Sequence, residues 1–97
     1  MNNLDREAVL EAHSRIRNYV HRTPIITSRS LSDEVGAELF FKCENMQRTG
    51  AFKARGAMNA VLSLDPTITV VATHSSGNHG AALALAARET GREAFIV

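Results

Sequence analysis

Two stretches of the chain hold residue types that organic catalysis uses. The first is Thr49-Gly-Ala-Phe-Lys-Ala-Arg-Gly-Ala57. Lys53 falls in the first turn of the helix this stretch opens. That is the positive end of the helix dipole, where a cationic side chain is electrostatically misplaced. Phe52 adds an apolar neighbour. Both effects lower the pKa of a lysine that is buried, and a neutral amine is what a Schiff base with an aldehyde requires. The same residues also describe a solvated lysine beside a core phenylalanine.

The second stretch is Thr73-His-Ser-Ser-Gly-Asn-His-Gly80, between an apolar run and an alanine-rich one. In parallel α/β sheets, ligands bind at the carboxyl ends of strands. The free N–H groups of a following helix favour a carboxylate or phosphate there. Gly77 and Gly80 allow close backbone approach, and Ser75, Ser76 and Asn78 offer polar groups. The stretch is neither a dinucleotide fingerprint nor a P-loop. A capped helix behind a glycine turn accounts for it equally well.

These groups need elements to hold them. Asn3 or Asp5 is expected to start a helix to about Val20, with Val9, Ala12, Ile16, Tyr19 and Val20 on one face. Thr23-Pro24 stops it. Residues 25–35 are mixed, with Ser30 or Ser32 able to cap a short helix that Gly36 ends. Glu38-Leu-Phe-Phe-Lys-Cys43 reads as a strand, and residues 44–50 as a polar loop. A second helix is expected over 51–64, burying Ala57, Ala60, Val61 and Leu64. Residues 68–73 read as a strand buried on both faces. Residues 81–88 read as a helix, Gly91 as its C-cap, and 93–97 as another strand. Residues 68–97 are thus one strand–helix–strand unit of the α/β class.

The 97 residues are 44% hydrophobic and 22% charged, with a net charge of +1. That balance argues against a dedicated nucleic-acid or membrane-surface binder. Residues 81–87, the longest apolar run, are too short to span a bilayer, and a cytoplasmic location is expected. A single cysteine, Cys43, excludes an internal disulfide, and His13, His21 and His74 lack metal-ligand spacing.

The two stretches together resemble the fold-type II pyridoxal phosphate enzymes, whose fold is tryptophan synthase β-like. Residues 49–57 are similar to their S-F-K-x-R-G-A lysine motif, and Ser75-Ser-Gly-Asn-His-Gly80 to their S-S/A-G-N-H loop. Glu44-Asn-Met-Gln-Arg-Thr-Gly50 and Arg22-Thr-Pro-Ile25 match as well. The resemblance covers nearly the whole chain and points to the threonine dehydratase and serine racemase branch. It implies pyridoxal 5'-phosphate as cofactor and a small amino-acid substrate, serine or threonine. Lys53 would carry the cofactor and act as base at the substrate Cα. Phe52 would pack on the cofactor ring, and Asn78 would hydrogen-bond its 3-oxygen. Ser75, Ser76, Gly77, Asn78 and His79 would hold the substrate carboxylate. Ser76 would be the acid–base on the face opposite Lys53, the position where many dehydratases have Ala. Arg55 and Gly56 would serve packing and ion pairing.

The resemblance also implies a homo-oligomeric parent enzyme, with residues 1–50 in its larger domain and 51–97 opening its small α/β domain. Two departures stand out: Ala51 replaces the usual Ser, and the 64–70 linker is short. The chain reads as the front of a longer protein with an incomplete sheet. The alternative is a non-catalytic fragment or remnant with no activity alone. Phe40, Phe41 and the apolar face of residues 9–20 are expected to be exposed, awaiting partners outside the chain.

Overall fold

The computed structural model of the chain describes residues 4–97. Helix α1 is Arg6–Ile16, capped by Asp5, whose carboxylate accepts the Ala8 N–H at 2.9 Å. Asn3, the other candidate cap, lies outside the described residues. The helix stops short of Val20 because the next carbonyl and amide groups have other partners. The Tyr19 N–H turns back to the Ile16 carbonyl at 2.8 Å, and the Tyr19 carbonyl accepts from the Arg48 guanidinium at 2.8 Å.

Strands β1 (Ile25–Thr27) and β2 (Phe40–Lys42) pair antiparallel, with Ile26 opposite Phe41. Three residues are too few for a period to show in sequence, so β1 goes unread there. Helix α2 (Arg29–Val35) is capped by Ser28 rather than Ser30 or Ser32. Ser32 faces the other way, accepting the Leu39 N–H at 3.1 Å. Gly36 ends α2 in the left-handed region, φ +70°.

Two 3-10 turns, Glu44–Met46 and Arg48–Gly50, lead into helix α3 (Lys53–Leu62). Its buried stripe is Ala54, Ala57, Met58 and Val61, an i, i+3, i+4, i+7 set. Ala60 falls off that stripe and is exposed, and Leu64 lies beyond the helix and is half-buried.

Strand β3 (Val70–Thr73), helix α4 (Asn78–Glu89) and strand β4 (Glu93–Ile96) form the expected unit, with β3 parallel to β4. The expectation that β3 is buried on both faces does not hold. The sheet has two strands, and its residues alternate between half-buried and exposed, Val70 being 46% exposed. Helix α4 ends in a Schellman motif: the Arg92 N–H reaches the Ala87 carbonyl at 2.8 Å while Gly91 turns at φ +69°.

The core is the seam between α3 and α4, joined by Ile16. Alanines 54, 57, 82 and 86 let the two helices approach closely, and Met58 and Val61 fill the seam. The radius of gyration is 16.2 Å, against about 13 Å for a compact domain of this length. The difference is an elongated shape, 52 × 31 × 25 Å, which leaves apolar side chains uncovered: Val9, Phe40, Phe41 and Phe95 are all exposed. No described helix is long and apolar enough to cross a membrane.

Candidate active site

Lys53 is the first residue of α3, as the sequence reading requires. Its environment differs from that reading in one respect. Neither Lys53 nor Phe52 is buried, and Phe52 is 63% exposed rather than a core residue. The Lys53 Nζ lies over the Phe52 ring, 5.6 Å from its centre, a cation–π distance. An amine and an aromatic face therefore stand together on an open surface.

The turn carrying Lys53 has no side-chain cap: Phe52 occupies the cap position and gives its N–H neighbours no acceptor. The loop before it reverses through two left-handed residues, Thr49 at φ +62° and Gly50 at φ +75°. Long-range polar contacts hold it. Arg55 grips the Glu44 carboxylate with both edges of its fork, Nε to Oε1 at 2.5 Å and Nη2 to Oε2 at 3.0 Å. The Thr23 hydroxyl donates to the same carboxylate at 2.5 Å. The Gln47 carboxamide is buried and uses both its ends. It accepts the His21 and Arg48 N–H groups and donates to the His21 carbonyl at 2.8 Å. Arg48 bonds the Tyr19 carbonyl and, at 2.7 Å, the Glu89 carboxylate at the far end of α4.

Charge-assisted bonding by Arg55 pulls the Glu44 carboxyl down to about 2; partial burial opposes this, and the Thr23 hydroxyl adds to it. Glu44 raises the Arg55 guanidinium in return. Arg55 thus makes the ion pair expected of it. The roles of Thr23, Glu44, Gln47 and Arg48 went unread. Their sequence signal is the run of polar residues just ahead of the lysine, which reads only as a loop until its partners are known.

The second stretch sits where β3 meets α4. The sheet ladder extends past the strands, with the Val97 N–H on the Thr73 carbonyl at 2.9 Å and the Ser75 N–H on the Val97 carbonyl at 3.1 Å. Helix α4 starts at Asn78, three residues before the expected Ala81, so Asn78 and His79 lie in its first turn. The Ser75 hydroxyl accepts the Gly77 N–H at 3.3 Å and the Gly80 N–H at 3.2 Å. Its own hydrogen remains free to donate. Ser76 is exposed and makes no hydrogen bond among the described residues, so capping falls to Ser75. Asn78 and His79 are exposed too, and their backbone N–H groups find no partner among the described residues.

Gly80 is the glycine that close approach demands: a Cβ there would lie 2.7 Å from the Ser75 carbonyl oxygen and 3.0 Å from the Ile96 side chain. Gly77 faces open space. No hydrogen bond or ion pair joins Lys53 to this loop among the described residues. The two are related through the helices that carry them, packed along one seam. A separate cleft of about 620 Å³ shares only Arg55 with the two stretches and is bordered by basic side chains, Arg17, Arg22 and Lys42 among them, together with Asn18 and Val20.

The donor set suits pyridoxal phosphate on its lysine side. It offers an amine for the aldehyde carbon, a ring beside it, and an unfilled helix start for an anion. Known proteins agree. Serine racemase of Arabidopsis thaliana is 59% identical over 92 residues, covering 93% of this chain and 28% of that protein. The beta-hydroxyaspartate dehydratase of Paracoccus denitrificans is 55% identical over 93 residues, covering 94% of this chain and 30% of that protein. The solved structure of maize serine racemase superposes with a TM-score of 0.88 at 50% identity, over 98% of this chain and 30% of that one. The chain therefore spans under a third of the length of these relatives. The family model for pyridoxal-phosphate dependent enzymes matches residues 16–97, a stretch that takes in the lysine turn, the serine-glycine loop and the polar contacts behind them, and the chain belongs to that family.

Proposed function

We propose that Lys53 carries pyridoxal phosphate covalently and that the protein works on a small hydroxy amino acid, serine or threonine. The reaction is net loss of ammonia to a keto acid, the water lost with the β-hydroxyl being taken back when the released enamine hydrolyses, or racemisation, or both. The observation that carries this reading is the pairing of an accessible amine at the start of α3 with the Asn78 and His79 N–H groups at the start of the adjoining α4, which have no partner among the described residues. Relatives of both kinds, racemase and dehydratase, support it.

When bound, the cofactor supplies the electron sink that lets a Cα proton leave. The chain's residues supply position and proton transfer. The N–H groups of Asn78 and His79, with the free Ser75 hydrogen, take the substrate carboxylate, and Gly77 lets it approach. The Lys53 amine removes the Cα proton. The Ser76 hydroxyl, unengaged by capping, stands at a helix start and returns a proton to the opposite face. Asn78 meets the cofactor ring oxygen and Phe52 its face. Elimination needs only the lysine; racemisation needs both groups.

Borohydride trapping with pyridoxal phosphate tests this. A reduced adduct mapped to Lys53, and lost in Lys53→Ala with its absorbance band, is the expected result. Retention of the band in that variant overturns the assignment.

The second reading, that these 97 residues hold no cofactor alone, draws on the exposure of Lys53 and Phe52 and on the short match to the relatives. Absence of any trapped adduct in the isolated chain would support it.

A further inference from the structure

Helix α3 begins with the residue that matters most to the proposed chemistry, yet no capping side chain fixes that beginning. Ala51 offers no hydroxyl, and Phe52 at the cap gives no side-chain bond. The preceding residues pass through two left-handed conformations, so the Lys53 turn hangs at the end of a reversing loop. That loop is closed by a side-chain pair that spans it. Glu44 stands at its start and Arg55 two residues past Lys53, and the bidentate pair bridges them. The bridge has further anchors. Arg55 Nη2 also donates to the His21 carbonyl at 3.3 Å, and Glu44 takes the hydroxyl of the buried Thr23. Both partners are largely shielded, with side chains 28% and 19% exposed.

We infer that the Glu44–Arg55 pair is the positioning device of Lys53, replacing the absent helix cap by tying the lysine turn to residues 21–23. The inference rests on the cofactor reading above. A planar fork held at both oxygens fixes direction as well as distance, which a surface lysine pair could not do. Closing residues 44–55 removes the freedom the uncapped turn would otherwise have. Arg55 touches no reacting atom; it acts through Lys53.

The sequence supplies its own control, because it contains two lysines, Lys42 and Lys53. Lys42 lies outside the closed loop, in β2, but its Nζ is 3.5 Å from the Thr23 carbonyl and its charge acts on Glu44, so the Lys53 yield is read by itself beside the ratio and must fall with it. The experiment is borohydride trapping of the purified protein with pyridoxal phosphate, followed by peptide mapping of the two adducts. The unsubstituted protein is expected to favour Lys53. Glu44→Gln should cut the Lys53-to-Lys42 ratio by about tenfold, as misplacing a reacting group does. The exchanged pair, Glu44→Arg with Arg55→Glu, should restore much of it.

Val61→Ala removes core volume from the same helix without touching the bridge, so it should leave the ratio unchanged while lowering stability. A Glu44→Gln ratio within twofold of the unsubstituted protein overturns the inference alone. A ratio that falls as far in Val61→Ala overturns it too, by reducing the pair to general stability. Equal trapping of both lysines in the unsubstituted protein overturns the cofactor reading and this inference with it. If Glu44→Gln fails to fold, Thr23→Val replaces it, and a smaller fall of the same sign is expected; no change overturns the inference.

Discussion

The chain presents two helix starts, and they are held by opposite means. The start of α4 is built locally: Ser75 accepts from Gly77 and Gly80, and the absent Cβ of Gly80 lets the turn seat against Ser75 and Ile96. The start of α3 is built remotely: Glu44, Gln47 and Arg48 in the turns before it are held by Thr23, His21, Tyr19 and Glu89 on other segments. A local device is written largely within six residues, with Ile96 as its one distant neighbour. A remote device exists only once the chain has folded, and it couples the lysine turn to everything that holds residues 19–23 in place.

The largest effect should come from breaking the local start. Gly80→Ala forces a carbon into 2.7 Å contact with a backbone oxygen, which cannot move aside as a side-chain tip can. Overpacking of this kind should destabilise by about 2–3 kcal/mol, read as a lower urea midpoint with unchanged slope.

Acid should break the remote start next. Glu44 is held at about 2, below its ordinary 4.5, so its contribution is fully present above pH 4.5 and fades as the pH falls toward 2. Partial exposure screens the pair, leaving a loss on the order of 2 kcal/mol. Denaturation midpoints measured from pH 6 down to pH 2.5 should fall, and Glu44→Gln should flatten that limb. Glu89, lowered chiefly by Arg48, adds to the same direction. An equally steep limb in Glu44→Gln would assign the acid sensitivity elsewhere.

The smallest effects sharpen the comparison within the serine pair. Ser75→Ala should cost about 1 kcal/mol, the usual value of a lost cap. Ser76→Ala should change stability by less than about 0.5 kcal/mol, as surface substitutions do. If Ser76→Ala destabilises as much as Ser75→Ala, the capping roles are reversed, and Ser76 loses its place as a free hydroxyl.

Most of the local features are legible in the residues themselves. Asp5 before a periodic run, Gly36 and Gly91 behind helices, β-formers ahead of a serine-glycine turn: each acts through bonds within a few residues, so its signal is short-range and readable. The placement of Lys53 at a helix start and of residues 73–80 at a strand's end followed from such signals, as did the family likeness. What tertiary structure alone decided is where chain segments far apart in sequence meet. The Tyr19 carbonyl, just past α1, meets Arg48, 29 residues away. Ala60 is exposed because α4 packs on the stripe through Ala57 and Met58, not on the neighbouring one. Ser28 caps α2 while Ser32 serves Leu39, a choice among three serines that composition cannot make. Glu44 and Arg55 find one another for the same reason: two charges of opposite sign in a polar loop are common, and only the folded backbone brings this pair to 2.5 Å.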